Sequence, residues 1–180
     1  MKLPLKLWDS QRPVNWLIAS AIVIVLDQWT KYIAVQSMRL FDSIPVMPYF
    51  NITLLHNEGA AFSFLANAGG WQRWFFIGLG VVVSAFILAW LRRLRRDQGW
   101  MLPASLALIL GGALGNVIDR AWHGYVIDFI DLYYGSWHWP AFNVADIAIT
   151  VGAALFLLDS LIDSWKEGAA KRQNGEGRRE

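Results

Sequence analysis

Two stretches of sequence decide the fold: Trp74–Leu91, WFFIGLGVVVSAFILAWL, and Trp100–Ile118, WMLPASLALILGGALGNVI. The first has 18 residues and the second has 19, and neither contains a charged side chain. Because about 20 consecutive apolar residues cross a bilayer as an α-helix, each stretch predicts a transmembrane helix. The chain of 180 residues, 56% hydrophobic and 17% charged, is therefore interpreted as one membrane-embedded domain.

Two further apolar segments contain polar residues near one end. We predict four spanning helices in an all-α integral membrane domain of residues 1–167, at roughly 13–35, 72–91, 100–119 and 142–163. The first segment could instead be a secretory signal sequence, but its length and the lack of a small-residue cleavage pattern favour a retained helix. The polar residues 168–180 predict a disordered tail.

The distribution of basic residues predicts the orientation. Twelve of the sixteen Lys and Arg residues lie in the N-terminal tail, the connection between the second and third helices, and the C-terminal tail. The positive-inside rule therefore places both termini in the cytoplasm. Residues 36–70 and 120–140 then form the outer connections, and within the first of them Tyr49–Leu55 predicts a short strand followed by a turn at Asn57-Glu58-Gly59.

Composition excludes several classes of site. The chain has no cysteine, which excludes disulfides, thiolate metal sites and cysteine nucleophiles. Its three histidines are far apart and form no His-Glu-x-x-His motif, so we predict neither a metal site nor a cofactor. A net charge of +2 is too small to indicate a nucleic-acid partner.

Ionisable side chains in membrane helices cost roughly 2.5–3.5 kcal/mol on insertion scales, so each is a functional hypothesis. Asp27 and Lys31 are spaced i, i+4 on one helix face, and a structural ion pair is the favoured interpretation. Asn116, Asp119 and Arg120 form either a hydrogen-bonded helix end or a polar platform for a substrate backbone. Since Asp119 and Arg120 are adjacent, they point apart and need partners elsewhere.

The fourth helix begins with a capping pattern. Asn143 is expected as the N-cap and Asp146 as the third helical residue, where the helix dipole favours the ionised carboxylate. Asp128 interrupts the apolar hexamer YVIDFI at residues 125–130, after the third helix has ended. It could be a turn carboxylate that caps backbone N–H groups, and Asp131 is an equal competitor as a catalytic acid on chemistry alone.

A pair of acids at one membrane surface indicates a peptidase. Two close carboxylates share one proton, so the ionised member can activate water while the protonated member polarises a carbonyl. No arrangement of Ser with His or Lys offers another nucleophile in this sequence.

Five motifs in order along the chain resemble the lipoprotein signal peptidase family, also called signal peptidase II. They are DQWTK at 27–31, HNEGAAFS at 56–63, GALGNVIDR at 112–120, VIDF at 126–129 and FNVAD at 142–146. Each motif alone is weakly specific, but five in order at matching places in a four-helix topology are strongly so.

The resemblance implies a catalytic dyad and a substrate. It names Asp128 and Asp146 as the dyad. Substrate-binding or supporting roles fall on Asn57, Asn116, Arg120 and Asn143, and structural polar roles on Asp27, Lys31 and Asp119. A small periplasmic β-cradle and a short amphipathic helix are expected in the outer connection.

The implied substrate is a bacterial prolipoprotein whose cysteine carries diacylglycerol, cut on the N-terminal side of that cysteine. The implied location is the inner membrane, in contact with lipid, with the active site on the periplasmic side. The implied inhibitor is the cyclic peptide globomycin.

Three rival functions remain at this point. A proton-relay or transport subunit would place acids through the bilayer depth, whereas the centres of the second and third helices are charge-free. A non-catalytic lipoprotein-binding assembly factor would present the same surface as an enzyme. A presenilin-type intramembrane protease would carry a Gly-x-Gly-Asp motif, which this sequence lacks.

Overall fold

Four long apolar helices form the body of the protein. The computed structural model describes residues 13–59, 69–95 and 99–176. The helices are α1 (Leu17–Ser37, preceded by a 3-10 turn at Pro13–Trp16), α2 (Trp71–Arg93), α3 (Met101–Trp122) and α4 (Val144–Glu176). All four are long and apolar enough to cross a membrane, so the described ranges contain the four candidate spans that the sequence predicts.

The C-terminal helix is longer than predicted. Residues 168–176 were expected in a disordered tail, but α4 continues to Glu176, and residues 177–180 lie outside the described part of the chain. Once a helix is nucleated, each further residue adds a hydrogen bond at little cost. The residues after 168 include Ala, Lys, Arg and Gln, which are good helix formers, so the spanning helix extends into them.

Helix α3 is the central helix and packs against the other three. Two of its glycines allow this close approach. A Cβ at Gly112 would collide with the carbonyl oxygen of Ala145 in α4. A Cβ at Gly115 would lie 2.6 Å from the Oδ2 of Asp27 in α1. Small residues of this kind let membrane helices meet backbone to backbone.

The expected small β-cradle is present as a four-stranded antiparallel sheet at one end of the bundle, so the all-α label applies only to the helical body. Its strands are β1 (Ser43–Met47), β2 (Phe50–Asn57), β3 (Val126–Tyr134) and β4 (Trp137–His138), paired in the order β1-β2-β3-β4. Strand β2 covers the strand expected near 49–55, whereas β3 was not predicted. Residues 60–68, the rest of the connection in which an amphipathic helix is expected, lie outside the described residues.

Strand β3 fixes the sheet to the helices. Ile127 and Phe129 are buried together with Ala34 of α1 and Leu54 of β2. Successive side chains of a strand point to opposite faces. Asp128, between these two apolar residues, therefore faces away from that core and toward the start of α4.

Candidate active site

Asp128 is the third residue of β3 rather than part of a turn, and its side chain is buried. The Asn57 side chain at the end of β2 donates from Nδ2 to Asp128 Oδ2 at 3.0 Å. The Asn143 side chain donates from Nδ2 to Asp128 Oδ1 at 2.7 Å. Each oxygen of the carboxyl group is thus held by a different amide, which fixes its orientation.

Asp146 lies in the first turn of α4, and the capping pattern is as predicted. Asn143 accepts the N–H of Asp146 at its Oδ1, at 3.0 Å. In return, Asp146 Oδ2 accepts the N–H of Asn143 at 3.3 Å, which completes a reciprocal capping box. The same contacts that start the helix also fix the Asp146 carboxylate at its N-terminus.

Two buried asparagines connect the two acids. Asn143, with no exposed surface, contacts both Asp128 and Asp146. Asn116 of α3 donates from Nδ2 to Asp146 Oδ1 at 2.9 Å, and its Oδ1 accepts from Asn143 Nδ2 at 3.4 Å. The structure therefore brings the two predicted dyad members, from β3 and α4, to one polar cluster.

Burial, followed by the nearby Asp146 carboxylate, raises the pKa of Asp128 to about 7. The hydrogen bonds from Asn57 and Asn143 and the charge of Lys31 act against this rise. Desolvation and a like charge both favour the neutral carboxylic acid. Asp128 is therefore suited to hold the proton that a dyad shares.

Asp131 lies on the opposite face of β3 and belongs to a separate cluster. Its carboxylate accepts from Asn51 at 3.2 Å and Thr53 at 3.0 Å, and lies 2.7 Å from His138 Nδ1. Burial raises its pKa, but these hydrogen bonds outweigh burial and the pKa lies below the usual value. Three residues along a strand reverse the face, so Asp131 does not join Asp128 and Asp146.

Asp119 and Arg120 find separate partners, as their adjacency requires. The Arg120 guanidinium donates from NH2 to the carbonyl oxygen of Gly59 at 2.6 Å and lies over the Phe76 ring. Within the described part of the chain, its Nε finds no acceptor. Arg120 thus fixes the turn after Asn57 and lies beside the acids.

Asp27 and Lys31 form the predicted ion pair, at 2.8 Å, and both are almost fully buried. This ion pair is part of a network of three charges that the sequence did not indicate, since Lys31 also lies 2.8 Å from Asp119 of α3. Gln28, which no prediction included, donates to Asp119 at 2.8 Å and to Asp27 at 3.2 Å. Helices α1 and α3 are therefore joined by buried charges next to the site.

A cavity of about 550 Å³ opens beside Asp146. Its polar end is formed by Asn57, Asn116, Arg120 and Asp146. Its apolar walls come from β3, the segment after β4, and the first turns of α4, with Leu132, Trp139, Phe142, Ile147 and Val151 among them. Among the described residues, no three His, Asp or Glu side chains are grouped as ligands for a metal ion. The site is therefore built from two carboxyl groups, amides and one guanidinium at the head of an apolar groove.

Comparison with known proteins adds an independent observation. Residues 19–162 match the family model described as Signal peptidase (SPase) II. The chain belongs to the signal peptidase II family. It is 56% identical to the lipoprotein signal peptidase of Alteromonas mediterranea, over 90% of this chain and 87% of the relative. It is 57% identical to the lipoprotein signal peptidase of Cupriavidus taiwanensis, over 84% and 85%.

The fold of this signal peptidase II member also resembles a solved membrane protein. That structure, described as a bacterial membrane enzyme determined by the in meso method at 2.3 Å resolution, superposes with a TM-score of 0.73. The two sequences are 31% identical, and the match covers 83% of this chain and 89% of the other. The four-helix body with its sheet is therefore shared with a bacterial membrane enzyme.

Proposed function

We propose that this member of the signal peptidase II family is an aspartyl endopeptidase that removes signal peptides from diacylglyceryl-modified bacterial prolipoproteins. The observation that carries the proposal is the meeting of Asp128 and Asp146 through Asn143 and Asn116, next to a cavity that Asp146 and Asn116 line. The names of the relatives, lipoprotein signal peptidase, support the substrate class. The cut falls on the N-terminal side of the lipidated cysteine.

In the proposed reaction Asp146 acts first as a general base and Asp128 as a general acid. Ionised Asp146 takes a proton from a water molecule, whose oxygen attacks the scissile carbonyl carbon. Protonated Asp128 gives its proton to the carbonyl oxygen, which yields a tetrahedral diol. Asp146 then protonates the leaving amine while Asp128 takes a proton back from the diol, and the C–N bond breaks. The position of Asp146 at a helix N-terminus and the raised pKa of Asp128 support these roles.

The cavity supports a substrate that is anchored in the membrane. Its polar end is lined by Arg120 and by the amides of Asn57 and Asn116, which suit the peptide groups of an extended backbone. Its apolar walls continue along the first turns of α4, where Ile147 and Val151 are exposed. A diacylglyceryl anchor confines the scissile bond to one depth, which lowers the entropy cost of orienting it.

The distribution of charge supports a location in the bacterial inner membrane. Four spans, with basic residues in both tails and in the connection between α2 and α3, support a periplasmic position for the sheet and the dyad. We expect membrane lipid to surround the bundle, and the cyclic peptide globomycin to bind in the same cavity and inhibit cleavage.

Cleavage should depend on the lipid of the substrate. We expect the purified protein in detergent to cut a diacylglyceryl-modified prolipoprotein, and mass spectrometry of the products to place the new N-terminus at the modified cysteine. The same precursor without diacylglycerol is the matched control and should be cut about 10²-fold more slowly, because its scissile bond is no longer held at the site. Equal cleavage of both precursors, or a cut elsewhere, would contradict the proposed specificity.

The reaction should slow as pH rises through about 7. Asp128 has its pKa raised to about 7, so its proton is present below that pH and lost above it. Because the proposed reaction needs protonated Asp128, kcat/KM should fall on the alkaline side. The measurement is initial rate against pH from 5.5 to 9 at subsaturating substrate. A rate that stays constant or rises from pH 7 to 9 would show that no such proton is required.

A further inference from the structure

Lys31 is a buried cation held between two carboxylates. Only 1% of the residue is exposed, and its Nζ lies 2.8 Å from Asp27 Oδ2 and 2.8 Å from Asp119 Oδ2. A buried charge is tolerated when it is paired and hydrogen-bonded. The three residues, Asp27, Lys31 and Asp119, are called the carboxylate clamp below.

Each acid of the clamp also accepts a main-chain N–H next to one dyad member. Asp27 Oδ1 accepts the N–H of Ala145, the residue before Asp146, at 2.9 Å. Asp119 Oδ2 accepts the N–H of Ile127, the residue before Asp128, at 3.1 Å. One lysine therefore connects, through two carboxylates, the backbones that carry both acids of the site.

Lys31 also sets the orientation of an amide in the site. Its Nζ lies 3.2 Å from Asn116 Oδ1. A lysine ammonium has only donors, so the Asn116 atom that faces it has to be the carbonyl oxygen. The NH₂ group of Asn116 is then directed to Asp146 Oδ1, at 2.9 Å. Without the ammonium, a flipped Asn116 would present its oxygen to the Asp146 carboxylate.

We propose that the carboxylate clamp is a positioning device that sets the separation and hydrogen bonding of Asp128 and Asp146, with Lys31 as its central positioning residue. The proposal rests on the dyad of the proposed function. It goes beyond a structural ion pair, because a pair that only joined helices would have no reason to contact both dyad backbones. Gly115 supports the clamp, since a Cβ there would occupy the space of the Asp27 carboxylate.

The clamp predicts a kinetic effect and not only a loss of stability. Lys31 touches no substrate, so Lys31→Met should lower kcat by roughly 10²-fold and leave KM within about twofold, as for a group that acts only on the reacting geometry. Lys31→Arg keeps the charge and should recover part of kcat. Single-substrate kinetics with the lipidated prolipoprotein measure both constants.

The pH profile supplies a second readout. The charged groups around Asp128 are Asp146 on α4, Lys31 on α1 and Arg120 on α3. Lys31 opposes the rise in the pKa of Asp128, so its removal should raise that pKa further. The alkaline limb of kcat/KM should therefore move to higher pH in Lys31→Met, and should move less in Lys31→Arg.

Ser20→Ala is the matched structural control. Ser20 is buried on α1 and donates to the carbonyl oxygen of Ala107 in α3 at 2.8 Å, so it joins the same two helices away from the dyad. This variant should melt at a lower temperature than the parent, while kcat and the pH at which kcat/KM falls on the alkaline side stay as in the parent. Equal effects of Ser20→Ala and Lys31→Met on kcat would overturn the proposal.

The outcomes separate the clamp from the proposed function. A parent protein that does not cleave the lipidated substrate would reject the proposed function itself. A cleaving parent together with a folded Lys31→Met of unchanged kcat and pH limb would reject the clamp alone. If Lys31→Met does not fold, Asp119→Asn replaces it, since its amide oxygen still accepts the Ile127 N–H while the charge pair with Lys31 is lost. Parental kcat in Asp119→Asn would then overturn the proposal.

Discussion

Replacing Asp128 or Asp146 by asparagine should reduce cleavage of a lipidated prolipoprotein by about 10³-fold or more. Asparagine keeps the size of each side chain but can neither take a proton from water nor give one to a carbonyl oxygen. The two single variants and the double variant should be equally inactive, because a dyad acts as one unit and its losses do not add. Initial rates in detergent measure the effect.

The raised pKa of Asp128 predicts how the stability of Asp128→Asn compares with that of the parent at different pH values. In the folded protein the pKa of Asp128 is raised to about 7, above the value of about 3.9 expected in an unfolded chain. The stabilisation from its proton is thus complete below pH 4 and is lost as pH rises through 7. At pH 8 the variant should melt no lower than the parent, which separates lost chemistry from lost fold.

Asp131→Asn is the matched control for the dyad variants. Asp131 is on the same strand and is also buried, but its partners are Asn51, Thr53 and His138 on the other face. Its replacement should leave the cleavage rate within about twofold of the parent. Full activity in either dyad variant would reject the dyad, and inactivity of Asp131→Asn would mean that the sheet cluster takes part in the reaction.

Asn143→Ala should lose both activity and stability. The substitution removes the N-cap of α4, which is worth about 1 kcal/mol. It also leaves the buried Asp128 without its 2.7 Å donor, at a cost of about 1–3 kcal/mol. We expect the free energy of unfolding to fall by about 2–4 kcal/mol by these two effects and kcat to fall roughly 10²-fold as the acids lose their common contact. Thermal melting and steady-state kinetics measure the two effects.

Asn51→Ala is the control for this prediction. It also removes an amide that donates to a buried carboxylate, here Asp131 at 3.2 Å, but it lies outside the site. Its stability should fall by about 1 kcal/mol while kcat is retained. An Asn143→Ala protein with parental kcat would show that the asparagine caps the helix and does nothing for the acids.

The spanning helices could be predicted because their signal is local. Long apolar runs have few alternative structures, so all four spans were predicted. Their ends differ from the prediction by a few residues, apart from the C-terminal end of α4, which continues past 163 to Glu176. The cap formed by Asn143 and Asp146 and the i, i+4 pair of Asp27 and Lys31 were also local patterns, and both are present.

What the sequence left open depended on contacts between distant segments. Strand β3 was not predicted, because its apolar residues pair with β2, which lies about 75 residues earlier in the chain. Chemistry alone could not choose between Asp128 and Asp131, and the strand separates them onto opposite faces. A main-chain N–H group has no sequence pattern of its own. The hydrogen bonds from Ile127 and Ala145 to Asp119 and Asp27 could therefore not be predicted before the tertiary structure was known.

The length of α4 between Asp146 and Lys166 matches the thickness of the hydrocarbon core of a bilayer. Asp146 is the third residue of the helix, and Lys166, next to the exposed Trp165, lies twenty residues further along. At about 1.5 Å per residue this distance is about 30 Å, which equals the thickness of the hydrocarbon core. If aromatic and basic side chains anchor the far end at one membrane surface, as the proposed orientation requires, Asp146 lies near the opposite boundary of the lipid. Under the proposed function, a scissile bond buried below that boundary would stay out of reach, and bilayer thickness would take part in substrate selection.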